Sequence, residues 1–384
     1  MATGESVAKK LKRECVFERF RLNHEEMEDL KNNLKSLDGK NSALCLLKIL
    51  SCNAAAGYGV LFSMAACPTE RQSAELHSFI SLFTRGKQVV SSYIENRDNL
   101  TTNDYSSYTS NLLSKLLAFL SDKDAAESLQ VNPSYKLTEI DWTVRLAHHY
   151  FSRLSATSSY TLDNHHHAEK LFCDCGCGES IIEHYGDTSL GNGAGWHGYV
   201  DILIGNSELP VVIQGESPVS PGRRHSTDVK KNYLGSDPDQ ALARTIVFSF
   251  LQKKLHPEYK NFLIPCIAAS KKDICFYFYD SKHDILLESP AFPIFNQDKS
   301  LNKLTLLATW CVVNYKYLCS GITDTMMEND YKAEFFKHAS ARISIYRDSL
   351  SISRGFETVK RTRLEPWHMK CEVTHGKPVD EEQI

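Results

Sequence analysis

The sequence lacks an apolar run long enough to cross a membrane. Its longest nearly unbroken one, residues 304–313 (LTLLATWCVV), is about half of what a bilayer-spanning helix needs and is followed by Asn314 and Lys316. An excess of either charge is also missing. The 44 Lys and Arg against 47 Asp and Glu leave a formal net charge of -3, which excludes a surface coated in positive charge, although a local basic patch suffices to contact phosphates. The N-terminal MATGESVAKKLKREC has no apolar core of the secretory kind, so the chain is expected inside the cell, in cytoplasm or nucleus. KKLKR, residues 9–13, has the composition of a nuclear-localisation signal and equally of a solvated helix end. The twelve cysteines show little of a disulfide framework: most sit singly in apolar segments, such as Cys45 in ALCLLKIL, Cys266 in FLIPCIAA and Cys311 in ATWCVV. They read as small buried hydrophobes in a reducing compartment. No internal repeat is visible.

With 384 residues and 42% hydrophobic content, the chain can bury one large core or two medium ones. From about 24 to 152 apolar residues recur at spacings of three and four, in HEEMEDLKNNLKSL, NSALCLLKIL, AELHSFISLFTR and SNLLSKLLAFLSD. This predicts a helical domain over residues 1–160, suited to regulation, partner binding or substrate clamping. The polar run SATSSYTLDNHHH, residues 155–167, is expected to be a linker or exposed loop. Beyond it the spacing predicts a short helix over 179–185, the glycine-rich SLGNGAGWHG, and strands over about 199–204 and 210–216. A loop rich in Pro, Gly and basic residues follows, then a helix over 239–255 after Pro238, a strand in FLIPCIAAS, and paired strands ICFYFYD and DILLESP. Helices are expected again at about 301–319 and 328–346. That order predicts an α/β domain with a mixed sheet flanked by helices over 161–363, ending in a flexible polar tail over 364–384.

The stretch GYVDILIGNSELPVVIQGES, residues 198–217, holds two apolar strands that carry Asp201, Gln214 and Glu216. Alternation puts Asp201 on one face of the first strand and Gln214 with Glu216 on one face of the second, so these groups can converge. Two buried carboxylates repel and are costly unless a cation joins them. Hard oxygen ligands suit Mg2+ or Mn2+, which polarise a phosphodiester and lower the pKa of an attacking water. Glu179 and Glu183, four apart, offer a third acidic group on one face of the expected helix. Downstream, Arg223, Arg224, His225, Lys230 and Lys231 lie close in sequence to the carboxylates and could hold a nucleic-acid backbone. In the plainer alternative Asp201 caps a turn or pairs with Arg244, Gln240 is a residue of a helix start, and the basic loop is a solvated surface.

With these residues the sequence resembles the PD-(D/E)XK nuclease superfamily, whose restriction-endonuclease-like core runs helix, three strands, helix, strand. GYVDILI is similar to the strand bearing the family's Asp, VVIQGE to the strand bearing its acidic-x-Lys triplet, and DQALARTIVFSFLQ to the helix that follows, where many members place a Gln, here Gln240. The resemblance covers about residues 169–280 and leaves the first half unexplained. It implies a nuclease in which Asp201 and Glu216 hold the metal, Glu179 or Glu183 completes its shell, Gln214 orients a ligand or water, and Lys230 or Lys231 faces the scissile phosphate. The triplet departs from the pattern: it is Gln214, Gly215, Glu216 in one alignment and Glu216, Ser217, Pro218 in the other, and neither supplies a lysine. An inactive module that binds nucleic acid or a protein partner, the latter through the helical domain, is the alternative.

A competing site lies in HHHAEKLFCDCGCGE. Cys173, Cys175 and Cys177, with the cluster His165 to His167, are the residue types that bind Zn2+. Against this, a C-x-C-x-C run is tighter than the usual two-to-four-residue spacing and is expected to bring few of its sulfurs to one ion.

Overall fold

A computed structural model of the chain describes residues 22–72, 76–95, 107–122, 124–130, 138–165, 170–205, 209–213, 238–328 and 331–353. Helix α1 (His24–Ser36) begins where Asn23 accepts the Glu26 N–H and the Glu26 carboxylate accepts the Asn23 N–H, and it buries Met27, Leu30 and Leu34 on one face. Strands β1 (Cys45–Ile49), β2 (Val60–Leu61) and β3 (Thr69–Arg71) come next. Helices α2 (Thr84–Glu95), α3 (Ser107–Leu120) and α4 (Glu139–Arg145) follow, the last continued by π-helical turns at Leu146–Phe151 and a closing turn at Ser152–Leu154. The chain then forms β4 (Tyr160–Asp163), β5 (Tyr185–Gly186), β6 (Ser189–Gly191), β7 (Trp196–Tyr199), β8 (Ile202–Ile204) and β9 (Leu209–Ile213). After helix α5 (Pro238–Leu255) come β10 (Leu263–Ala269), β11 (Asp273–Asp280), β12 (Ile285–Glu288) and β13 (Phe292–Pro293), then helix α6 (Lys303–Val313) and β14 (Ser351–Ile352).

The fold is mixed α/β. One large mixed sheet runs in the order β3-β1-β12-β11-β10-β9-β8-β4-β5, with β13 joined to β11, and a smaller sheet runs β14-β6-β7-β2. Strand β8 is antiparallel to both β4 and β9, whereas β9 and β10 are parallel, with Val211 opposite Ile267. A parallel pair needs a crossover, and α5 supplies it. This helix opens on Pro238, whose missing N–H costs nothing in a first turn. It is buried on every side from Ala241 to Gln252, because the large sheet covers one face and β6, β7 and the turn Ile343–Asp348 cover the other. Its Phe250 ring lies 5.7 Å from that of Phe335 and 6.0 Å from those of Tyr279 and Tyr346. Burying a side chain of that size contributes about 1.5–3 kcal/mol.

Several expectations are corrected. Residues 41–50 (NSALCLLKIL), read as helix, contain β1, which pairs with β12 (Cys45 opposite Glu288) and with β3 (Ile49 opposite Thr69). The large sheet therefore draws strands from both sides of the boundary expected near residue 160. In AELHSFISLFTR, Phe79–Phe83 is a 3-10 turn and α2 starts only at Thr84. The polar run read as a linker contains β4, whose Tyr160 pairs with Ile204 of β8. The helix expected over 179–185 is only a 3-10 turn, Ile182–His184, and the one expected over 328–346 is reduced to the short turns Phe335–His338, Ser340–Arg342 and Ile343–Asp348. No described helix is long and apolar enough to cross a membrane, and no described cysteine is in a disulfide. Gln214, Glu216, Arg223, Arg224, His225, Lys230, Lys231, His166, His167, the KKLKR run and the tail 364–384 lie outside the described residues.

Candidate functional site

Val200 and Asp201 interrupt the run between β7 and β8. At the end of β9 the Ile213 N–H donates to the Asp201 carboxylate in this break, N to Oδ2 at 2.8 Å. The Asp201 carbonyl in turn accepts the N–H of Asp163, the last residue of β4, at 3.1 Å. Asp201 thus ties together the ends of β4 and β9, the two strands that flank β8. Asp163 is buried, and its Oδ1 accepts from Thr188 Oγ1 (3.1 Å) and from the His165 N–H (3.2 Å), with His165 Nδ1 at 3.0 Å. The His165 ring stacks on Tyr199 with centroids 4.0 Å apart, and its Nε2 is 3.8 Å from Asp187.

Arg244 reaches this cluster from α5. It is only 9% exposed, yet its Nε and Nη2 donate to the Tyr199 carbonyl (3.1 and 3.0 Å) and its Nη1 to Gln240 Oε1 (3.2 Å). Burial lowers its pKa from the ordinary arginine value, and attraction to Asp201, Cys266 and Asp163 opposes that shift. Both plainer readings of Asp201 are therefore met in part, since it caps a strand end and lies in the field of a buried arginine. Gln240 is half-buried and bonded to Arg244.

The second cluster is built on α4. Arg145 and His149 are four apart and project toward the same loop, a narrow hairpin over 171–181 joined by the Phe172–Ser180 bridge and by Cys173 N–H to Glu179 O (3.2 Å) and Ile181 N–H to Leu171 O (3.0 Å). Arg145 grips the hairpin with a two-pronged ion pair to Asp174, Nε to Oδ1 at 3.1 Å and Nη2 to Oδ2 at 3.2 Å. His149 Nε2 then lies 3.3 Å from Cys173 Sγ and 2.9 Å from Cys175 Sγ, the two sulfurs are 3.3 Å apart, and the Cys177 N–H points at Cys175 Sγ from 3.3 Å. All four ligand atoms, Cys177 Sγ included, fall within 4.8 Å of one another. What lets a C-x-C-x-C run do this is the pair of glycines after the second and third cysteines: Gly176 and Gly178 have φ of +89° and +74°. That left-handed backbone is cheap for glycine alone and folds the sulfurs to one side. Burial lowers the His149 pKa to about 4, with His148 and two arginines adding to the effect, and burial pushes the Cys173 and Cys177 thiols up.

This His149, Cys173, Cys175, Cys177 cluster could bind a metal ion. The expectation that few of the sulfurs reach one point is overturned; among the described residues the histidine partner is His149, while His165 is engaged with Asp163 and His166 and His167 lie outside the described residues. Glu179 and Glu183 are exposed; the first belongs to the cysteine hairpin and the second to the 3-10 turn, so they do not share a helix face. Sequence reasoning missed Asp163, hidden in a polar run, and His149, hidden in the apolar LAHHYF. Comparison of the chain with family models, with curated proteins and with solved structures finds no match in any of the three.

Proposed function

We propose that this chain is a divalent-metal-dependent nuclease that hydrolyses phosphodiester bonds in nucleic acid, built on a PD-(D/E)XK-like core. The observation that carries the reading is the bond from the Ile213 N–H to the Asp201 carboxylate, 2.8 Å long, made one residue ahead of Gln214 and three ahead of Glu216 in the chain. The elements α4, β4, β8, β9, α5 and β10, with β9 and β10 parallel across α5, support it, because with β5, β6 and β7 taken as an insertion between β4 and β8 they follow the helix, three strands, helix, strand order of that superfamily. The donors are carboxylate oxygens, which fit Mg2+ or Mn2+ and not a soft ion.

Asp201 and Glu216 would hold that cation. Asp163, buried and bonded through its N–H to the Asp201 carbonyl, would be a stronger candidate for completing the shell than the exposed Glu179 or Glu183. A cation bound there polarises the phosphodiester and lowers the pKa of the attacking water. The backbone bond fixes the direction of the Asp201 carboxylate before substrate arrives. Lys230 or Lys231 would bring an ammonium to the scissile phosphate, Gln214 would orient water, and Arg223, Arg224 and His225 would hold the nucleic-acid backbone.

One observation favours a second reading, an inactive module that binds nucleic acid or a protein partner. The buried Arg244 charge already attracts Asp201, which reduces the need for a metal, and the triplet has no lysine. The test is a cleavage assay on mixed DNA and RNA with Mn2+, comparing the parent with Asp201→Ala. Cutting that falls at least about 100-fold in the variant is expected, since losing metal catalysis removes several kcal/mol. Equal cutting by both removes the assigned site, and binding without cutting by the parent supports the second reading.

A further inference from the structure

We propose that His149, Cys173, Cys175 and Cys177 together hold one Zn2+ in a closed structural site that fastens the 171–181 hairpin onto α4. The donor set decides the metal. Three sulfurs and one imidazole nitrogen are ligands of zinc, and they are poor ligands for the hard cations that carboxylates take. With Zn–S bonds of about 2.3 Å, a tetrahedron has sulfur-to-sulfur edges of about 3.8 Å. The Cys173–Cys175 sulfur separation of 3.3 Å falls short of that edge by about 0.5 Å, the His149 nitrogen lies 2.9 and 3.3 Å from the same two sulfurs, and all four donors fall within 4.8 Å of one another, so small shifts suffice to reach a tetrahedron.

Two features of the surroundings suit a metal rather than a chance meeting of thiols. The Cys177 N–H is aimed at Cys175 Sγ, which is the bond a metal-bound thiolate accepts. The Arg145–Asp174 pair holds the hairpin at the right distance from the helix without using any of the four donors. A disulfide does not explain the arrangement: Cys173 and Cys175 are two residues apart with sulfurs at 3.3 Å, well beyond a bond of about 2.05 Å, and His149 faces both. Because the protein fills all four positions, no coordination site is left for water or substrate, which is the mark of a structural and not a catalytic zinc. The chain leaving the hairpin enters β5 and continues to β8, so the staple anchors the segment that leads to Asp201. The proposal does not depend on the phosphodiester reading, and its test involves no nucleic acid.

The full chain, purified under reducing conditions without chelator, is measured for zinc by mass spectrometry and titrated, after zinc removal, with Co2+. One zinc per chain is expected, with the intense visible bands of tetrahedral cobalt and a thiolate charge-transfer band in the near ultraviolet. Cys177→Ser, at the most exposed of the three thiols, is expected to weaken zinc binding at least about tenfold, and His149→Cys, which keeps a soft donor, is expected to retain it. The proposal is overturned by a folded parent chain that holds no zinc and gives no tetrahedral cobalt spectrum. A Cys173–Cys175 disulfide in the reduced preparation, or zinc binding unchanged in the Cys175→Ser and Cys177→Ser chains, overturns it equally. If a variant fails to fold, the parent's zinc content and cobalt spectrum still decide.

Discussion

Replacing Arg145 with methionine removes the grip of α4 on the cysteine hairpin while keeping most of the apolar stem. The Arg145 and Asp174 side chains are 7% and 16% exposed, and they meet through two N–H to oxygen bonds of 3.1 and 3.2 Å, while Arg145 Nη1 donates to the Gln130 carbonyl at 2.7 Å. Removing one partner of a fully buried pair costs about 3–5 kcal/mol, because the other charge is left without compensation. Asp174 keeps some contact with water, so Arg145→Met should cost about 2–3 kcal/mol. Asp174→Asn keeps an acceptor but leaves the Arg145 charge, the more buried of the two, without its counter-charge, and should likewise cost about 2–3 kcal/mol. Urea unfolding of the parent, both single variants and the double variant gives the coupling, expected at about 1.5–3 kcal/mol. Hydrogen exchange should quicken across 171–181 in Arg145→Met. A loss below about 0.5 kcal/mol with no coupling would refute the claim that this pair holds the hairpin.

Other substitutions test separate parts of the structure. Gly176→Ala forces a left-handed residue at a position where a Cβ meets nothing within 4 Å, so its cost is backbone strain alone, about 1–2 kcal/mol, read as a lower zinc affinity or earlier unfolding. Thr138→Ala deletes the N-cap of α4, where the hydroxyl accepts the Asp141 N–H at 3.2 Å, and should cost about 1 kcal/mol in urea unfolding. Hydrogen bonds from Ser78 and Lys87 hold the Asp38 pKa below the ordinary 3.8. A depressed carboxylate adds stability that is complete above the unfolded value and lost as pH falls through the folded one. Asp38→Asn should therefore cost less than about 1 kcal/mol at neutral pH, after solvent screening, and that gap should close in acid.

Elements whose signals are local were legible. Pro238 followed by a long stretch free of further Pro and of Gly marks α5, and ICFYFYD with DILLESP marks the antiparallel pair β11 and β12 around a short turn. Strand β1 was not, because CLLKI is too short for period to distinguish helix from strand, and its partners Glu288 and Arg71 come from distant sequence. Strand β4 was hidden for the same reason: YTLD looks like loop until Ile204 of β8 pairs with it. At the sites, Asp201 stood out as an acid in an apolar strand, whereas the role of Asp163 depends on a tertiary contact with Asp201. The cysteine run announced a cluster, and the alternating glycines at 176 and 178 were the readable sign that its sulfurs could converge. His149 lies 24 residues before Cys173 in a helical stretch, so only the docking of the hairpin onto α4 reveals it.

If the Asp201 carboxylate helps hold a hard divalent cation, Mn2+ binding to the full chain depends on that residue. Loss of the free-ion paramagnetic resonance signal is followed in the parent, in Asp201→Asn and in the control Glu70→Gln, an exposed acid on β3. One bound Mn2+ in the parent and control, weakened at least about tenfold in Asp201→Asn, is the expected result, tenfold being about 1.4 kcal/mol. Mn2+ held equally well by all three chains would contradict it.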